Sequence, residues 1–211
     1  MPGERPGFEP DARAGGSVTT PRLLVLTDRR QLPSGRGLVE AVARCAEAGA
    51  SIVVLRELDL SEHERSALAD VLAGCVQVIS ARTALASASG VHLAAHQSIG
   101  EADGLMHGRS CHGEDDVARA VGEGACWVTV SPVAITASKP GYGPPLGTDG
   151  VRRAVAVAGG TPVFALGGVE AGSVADLRAA GAYGVAVMGA VMRAAKPAAV
   201  VSRLLAELEG R

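Results

Sequence analysis

Aromatic residues are scarce in this sequence, where Phe, Tyr and Trp together make up 2 % of 211 residues. Proteins that hold single-stranded nucleic acid stack the bases on aromatic side chains. Binding to a polyanion also needs an excess of basic residues, whereas the formal net charge here is −2. We therefore expect neither a nucleic acid nor an anionic membrane surface as a partner.

Long apolar segments and paired cysteines are missing as well. No segment of the sequence approaches the roughly 20 consecutive apolar residues of a membrane-spanning helix. The cysteines at positions 45, 75, 111 and 126 include no Cys-x-x-Cys pair, and scattered cysteines are typical of buried free thiols in a reducing compartment. The expectation is a cytoplasmic protein with no membrane partner. Its oligomeric state stays open, a homo-oligomer included.

The first 21 residues differ in composition from the rest of the chain. Residues 1–21 are rich in Pro, Gly, Glu and Arg and lack the apolar region of a secretory signal. This composition predicts a disordered leader. Residues 22–211 are long enough to bury a core of their own and are predicted to form one domain.

A motif that occurs three times indicates an α/β fold. Each copy has an amphipathic helix, a Gly-Ala step at 49–50, 124–125 or 181–182, and a short apolar run. Glycine can adopt the positive φ that ends a helix. The runs are continuously apolar, as expected of parallel strands that are covered on both faces. The motif therefore predicts successive βαβ units.

Eight candidate strands can be counted in the sequence. They lie at 23–27, 52–56, 76–80, 91–93, 105–110, 127–130, 162–166 and 184–188. Helical periodicity fits between most of them, although the segments at 81–89 and 94–104 are short. A doubly wound sheet is less favoured, because no Gly-x-Gly-x-x-Gly follows the first strand. The prediction is a single (β/α)₈ TIM barrel.

Ligands of such barrels bind at the carboxyl ends of the strands. Gly167 and Gly168 follow the seventh candidate strand, and Met188 and Gly189 end the eighth. Glycine allows a phosphate to approach backbone N–H groups. The alternative is that these glycines only form tight turns, but their paired placement on the last two strands favours a phosphate site.

Polar residues end two other candidate strands. Arg56 ends the second and could contact an anionic ligand or form a salt bridge at the rim. Ser110 and His112 come at the end of the fifth. An imidazole that titrates near neutrality suits proton transfer, while a structural role for His112 beside an acidic helix start is equally compatible with its position.

A long segment without periodicity, 131–147, contains Thr136, Ser138 and Lys139. Loops of this length in compact domains are usually lids or disordered segments. The hydroxyl groups of Thr136 and Ser138 and the Lys139 cation could reach an anionic ligand. The alternative is a solvated flap without ligand contact. No histidines have metal-ligand spacing, so no metal site is predicted.

Seven segments, taken in order, resemble the thiamine-phosphate synthase/TenI superfamily over nearly the whole chain after residue 22. They read LTDR (26–29), VLRE (54–57), GVHL (90–93), GRSCH (108–112), SPV…T…SKP (131–140), LGGV (166–169) and GVAVM (184–188). The resemblance implies a TIM barrel that acts on phosphorylated thiamine precursors.

The synthase branch, by this resemblance, uses Gln-Leu-Arg-Glu-Lys for a pyrimidine pyrophosphate, and Asn-Asp plus a later Asp for Mg²⁺. Here Val54 and Leu58 replace the Gln and the Lys, and Ser80-Ala81 replaces the Asn-Asp pair. The Gly-Gln-x-Asp segment reads Ala-Ala-His-Gln at 94–97. Mg²⁺ prefers carboxylate oxygens, so these departures count against the synthase reaction.

The departures favour the branch of thiazole tautomerases, which the resemblance describes as free of metal and other cofactors. The phosphate of a thiazole phosphate would then contact Gly168 and Gly189, Arg56 would neutralise an anionic group, and His112 would move the proton. The prediction is an isomerase that converts a carboxylated thiazole phosphate to its aromatic tautomer. The alternatives are a thiamine-phosphate synthase with a diverged, Mg²⁺-dependent site and a non-catalytic or regulatory barrel that binds thiazole phosphate.

Overall fold

The computed structural model of the chain describes residues 21–135 and 144–210. The predicted leader, apart from its last residue, lies outside this range, as do Thr136, Ser138 and Lys139. In the part of the chain that is described, no helix is both long and apolar enough to cross a membrane.

Eight parallel strands close into a barrel in chain order, with β8 hydrogen-bonded to β1. The strands are β1 Leu23–Leu26, β2 Ile52–Leu55, β3 Gln77–Ala81, β4 Gly90–Leu93, β5 His107–Cys111, β6 Trp127–Val130, β7 Val163–Leu166 and β8 Gly184–Val187. The predicted TIM barrel is confirmed. The largest difference in a strand boundary is at β5, which begins at residue 107 rather than 105, because the preceding residues form a turn.

Seven α-helices cover the outside of the barrel in the described residues. They are α1 Leu38–Glu47, α2 Glu62–Leu72, α3 Glu114–Gly122, α4 Gly147–Val157, α5 Val174–Ala179, α6 Gly189–Met192 and α7 Pro197–Leu208. The connection from β3 to β4 has no helix, and that from β4 to β5 has only a 3-10 turn at Ile99–Ala102. These are the two segments that are short in the sequence.

Alternate residues of each strand serve different parts of the core. Leu24, Ile52, Ile79 and Phe164 belong to a cluster inside the barrel. Their strand neighbours, such as Val53, pack against the helices instead. Both faces of every strand are thus covered, which explains the continuous apolar runs.

The Gly-Ala steps end three helices as predicted. Gly49, Gly124 and Gly181 have φ values of +103°, +83° and +96°. The N–H of the alanine after each glycine bonds back to a carbonyl of the helix, which closes its last turn. Each step therefore turns the chain directly into the next strand.

The cysteines are all free, as expected, but only two of the four are buried: Cys45 and Cys111. Burial raises the pKa of the Cys45 thiol to about 11 and that of Cys111 to about 12. Cys75 is exposed and Cys126 is half-buried, so the prediction of buried thiols is correct for the first pair only.

Candidate active site

A cavity of about 560 Å³ opens at the carboxyl ends of the strands. Seven of the ten residues predicted for the site line it: Arg56, Ser110, His112, Gly167, Gly168, Met188 and Gly189. The other three lie outside the described residues. Further polar residues line the cavity that sequence reasoning did not single out: Asp28, Arg82, His92, His96, Glu170 and Arg193.

The glycines after β7 are required by close packing. Gly168 has φ +72°, and a Cβ on it would lie 2.7 Å from the carbonyl oxygen of Ile135 and 2.8 Å from Cβ of Ala134. The amide of Ala134 in turn donates to the carbonyl of Gly167 at 2.9 Å. The segment that follows β6 thus rests on these glycines, so they form a tight turn and also line the cavity.

The cavity edge after β8 contains an arginine close to a glycine. Gly189 begins α6, and a Cβ there would overlap the guanidinium of Arg193. Arg193 also contacts the side-chain oxygen of Gln31. Glycine at 189 therefore leaves space for the positive charge of Arg193 beside the predicted phosphate position. The place of Arg193 in the sequence did not indicate that it lies at the cavity.

Arg56 and its neighbour Glu57 have different partners at the rim. The buried carboxylate of Glu57 accepts from the backbone N–H of Arg29 at 3.1 Å and from Nη1 of Arg29 at 3.0 Å. Arg29 also pairs with Asp59 at 2.7 Å, and these two carboxylates raise the pKa of Arg29. The rim salt bridge therefore involves Arg29, while Nη1 of Arg56 lies 2.7 Å from Sδ of Met188 in the cavity.

His112 is held on two sides at the end of β5. Its backbone N–H donates to the Asp116 carboxylate at 2.8 Å, and its Nδ1 lies 2.8 Å from the carbonyl oxygen of Ser131. A carbonyl only accepts hydrogen bonds, so Nδ1 carries the proton in the neutral ring. The ring is therefore oriented by the backbone at the cavity wall.

His92 connects the cavity to the barrel interior. Its Nε2 lies 3.1 Å from Oγ of Ser110 and 3.3 Å from Oγ1 of Thr129. Its ring is also stacked on Trp127, with centroids 6.1 Å apart, and the indole fills the space above Gly108 where a Cβ would otherwise lie. Desolvation, with smaller contributions from the charges of Arg56 and Arg109, lowers the pKa of His92 to about 4. The imidazole is thus neutral at physiological pH.

A fully buried arginine holds the loop after β4. Nη1 of Arg109 donates to the carbonyl oxygens of Ala94 at 3.1 Å and Gln97 at 2.7 Å. Its Nη2 forms an ion pair with Glu123 at 2.5 Å. This loop includes Gln97, which stands where the resemblance places the later Asp of the synthase branch, and here the backbone carbonyls of the loop accept hydrogen bonds from Arg109.

Residues 23–191 match the family described as thiamine monophosphate synthase. The chain belongs to this family. A thiamine-phosphate synthase of Salinispora arenicola is 37 % identical over 203 residues, covering 92 % of this chain and 88 % of the relative. That of Salinispora tropica is 36 % identical over 182 residues, covering 86 % and 78 %.

A solved structure agrees with these sequence relatives. The thiamine phosphate pyrophosphorylase from Pyrococcus furiosus superposes with a TM-score of 0.78 at 25 % identity, covering 90 % of this chain and 96 % of that one. The resemblance inferred from the seven segments is thereby confirmed at the level of the superfamily, and the chain is a member of an enzyme family.

The prediction of a thiazole tautomerase is wrong. Relatives at 36–37 % identity over most of the chain are named thiamine-phosphate synthases, not isomerases. The prediction relied mainly on the loss of two carboxylates, at Ala81 and Gln97. Such a loss removes metal ligands, but it does not identify another reaction. The assignment of His112 as the acid–base residue of an isomerase depended on that reaction and falls with it.

Proposed function

We propose that this member of the thiamine monophosphate synthase family is a transferase that makes thiamine phosphate. A thiazole phosphate displaces pyrophosphate from a pyrimidine pyrophosphate. One carbon–nitrogen bond forms, one carbon–oxygen bond breaks, and pyrophosphate leaves with the bonding electrons. Negative charge grows on the leaving group, so the reaction gains most from fixed positive groups near it.

The observation that carries the proposal is that positive charge lines two sides of one cavity. Arg193 lies beside Gly189 at the end of β8, and Arg82 follows β3 on a different side of the barrel. Arg56 at the end of β2 reaches Met188 after β8. An enzyme that joins two phosphorylated substrates needs two anion-binding regions, and one of them must accommodate a pyrophosphate group.

The site residues divide between these regions in the proposal. Gly167, Gly168 and Gly189 offer backbone N–H groups to the thiazole phosphate, as favoured by the sequence. Arg56 contacts the pyrophosphate group. The remaining lining residues of the prediction, Ser110, His112 and Met188, contact the bound rings.

Mg²⁺ is the cofactor that the synthase branch implies, and the described residues do not fit it. No group of three or more His, Cys, Asp or Glu side chains in residues 21–135 and 144–210 is arranged to hold a metal ion. Ala81 offers a methyl group at the cavity wall where the branch has a carboxylate. No step of the proposed reaction is therefore assigned to a metal held by this chain.

The proposal is tested by mixing the purified protein with the pyrimidine pyrophosphate and the thiazole phosphate, with Mg²⁺ and separately with EDTA. We expect thiamine phosphate and pyrophosphate in equal amounts in at least one condition. Arg56→Ala is expected to lower kcat/KM by about 100-fold or more. Arg44→Gln, which removes an exposed charge from the far end of α1, is the matched control and is expected to match the wild type.

The absence of thiamine phosphate in both conditions would contradict the proposal. If calorimetry then detected binding of thiazole phosphate without turnover, the non-catalytic alternative would be favoured. Turnover that is equal in wild type and Arg56→Ala would leave the reaction standing but reject the assignment of Arg56.

A further inference from the structure

Ala81 and Gln97 occupy the two positions at which the synthase branch has carboxylates for Mg²⁺, and they make other contacts here. Ala81 contributes a methyl group to the cavity wall. The side chain of Gln97 accepts from the backbone N–H of Ala94 at 2.7 Å and donates to the carbonyl of Arg82 at 3.1 Å. An aspartate could not donate the second bond. Gln97 therefore ties the ends of β3 and β4 together through its amide.

The residue that follows Ala81 has an unusual backbone conformation. Arg82 has φ +69°, and only one other non-glycine residue in the described part of the chain, Asp103, has a positive φ. Aspartate adopts this region more readily than a long side chain does. A conformation of this kind persists only where its surroundings hold it, and it is concentrated at functional sites.

Three hydrogen bonds hold the backbone around Arg82. Its N–H donates to the carbonyl of His92 at 2.9 Å, and its carbonyl accepts from Gln97 at 3.1 Å. The preceding carbonyl, that of Ala81, accepts from the buried guanidinium of Arg65 at 2.7 Å. The strained conformation is therefore held by β4, by the following loop and by α2, and Arg82 itself is exposed and lines the cavity.

Arg56 and Arg82 form no ion pair with a carboxylate of the described residues. Six other arginines do form such pairs: Arg29, Arg44, Arg109, Arg119, Arg152 and Arg153. Of the two acidic residues at the cavity, Asp28 already accepts from Arg30 and Gln31. Glu170 follows β7, on the opposite side of the barrel from β3.

We propose that Arg82, together with Arg56, binds the pyrophosphate group in place of a Mg²⁺ ion held by protein carboxylates. This inference rests on the proposed synthase function. A guanidinium is always charged, and its planar fork matches the oxygens of a phosphate. Arg82 thus extends the anion site from the end of β2 to the end of β3, the region where the metal ligands are missing.

The test is calorimetric titration of inorganic pyrophosphate in EDTA. The wild type is expected to bind it, and Arg82→Gly to bind it about 10- to 100-fold more weakly. Glycine relieves the positive φ, so the variant is expected to unfold at the same temperature as the wild type or higher. Arg82→Lys should recover part of the affinity, and Arg44→Gln is the control for charge removal.

Two results would overturn the inference: pyrophosphate binding by the wild type only when Mg²⁺ is present, and equal binding in EDTA by wild type and Arg82→Gly. The turnover assay distinguishes a failure of the role given to Arg82 from a failure of the proposed synthase function. Thiamine phosphate formation that requires Mg²⁺ and is unchanged in Arg82→Gly would reject the role of Arg82 and keep the synthase. Arg82-dependent pyrophosphate binding without product would keep the anion site and reject the synthase.

Discussion

Replacing Gly168 by alanine tests whether the turn after β7 is set by packing as well as by its φ value. Two costs add at this position. Alanine at φ +72° costs about 1–2 kcal/mol in backbone strain. Its Cβ would also lie 2.7 Å from the carbonyl oxygen of Ile135 and 2.9 Å from the carbonyl carbon of Ala134, and overpacking of this kind costs about 1–3 kcal/mol. The expected loss in free energy of unfolding is therefore about 2–5 kcal/mol.

Gly172 offers a matched control in the same loop. It has φ +97°, but a Cβ there would meet nothing within 4 Å. Gly172→Ala should therefore lose only the backbone part, about 1–2 kcal/mol. The assay is urea unfolding followed by circular dichroism, with both variants compared at an unchanged m-value.

With a typical m-value of about 2 kcal/mol/M, the midpoint of Gly168→Ala should fall below that of Gly172→Ala by roughly 1 M urea. Gly168→Ala should also weaken the binding of inorganic phosphate, because residues 134 and 135 must move away from the cavity wall. Equal midpoints for the two variants would refute the packing argument and leave only the backbone conformation as the reason for glycine.

Three further predictions concern groups around the cavity. His92 has a pKa of about 4 in the folded chain against 6.5 as its ordinary value, so the unfolded state binds more protons between these pH values, and the free energy of unfolding should fall as pH drops from about 6.5 to 4. The full effect on the free energy of unfolding is about 3 kcal/mol. Urea titrations at each pH should show that this free energy depends less on pH in His92→Asn than in the wild type. The pH dependence that remains is expected from His107, whose pKa is also lowered by burial. Arg109→Met should destabilise the protein by about 3 kcal/mol, because the carbonyl oxygens of Ala94 and Gln97 and the Glu123 carboxylate all lose their partner. Thermal melts should show partial recovery in Arg109→Met/Glu123→Gln, and a single variant as stable as the wild type would contradict the role given to Arg109. Ala81→Asp should weaken pyrophosphate binding in EDTA about tenfold and make added Mg²⁺ restore it; binding that is unchanged in both conditions would show that position 81 does not face the pyrophosphate.

The barrel could be predicted from the sequence because its strands are covered on both faces. Runs such as Ile52–Leu55 and Trp127–Val130 are apolar at every position or nearly so, and the Gly-Ala steps mark where each preceding helix ends. The same reasoning located seven cavity residues, since in a barrel of this type the carboxyl ends of the strands meet at one rim.

The remaining site residues carry no such mark in the sequence. Arg82 lines the cavity with its backbone held at a positive φ by hydrogen bonds from three separate elements, a conformation that the sequence does not signal. Arg193 reaches it because the glycine four residues earlier leaves room for its guanidinium. The reaction class was also wrong, since the loss of carboxylates at Ala81 and Gln97 removes metal ligands and does not by itself identify a different reaction.

The stacking of His92 on Trp127 places an intrinsic fluorophore beside the cavity. Trp127 is the only tryptophan in the sequence and is 1 % exposed, so its fluorescence comes from one apolar location and should be blue-shifted. His92 contacts this ring on one side and Ser110, a cavity residue, on the other. A ligand that displaces the Ser110 hydroxyl is expected to shift the imidazole against the indole and change the emission, which would report binding without a label.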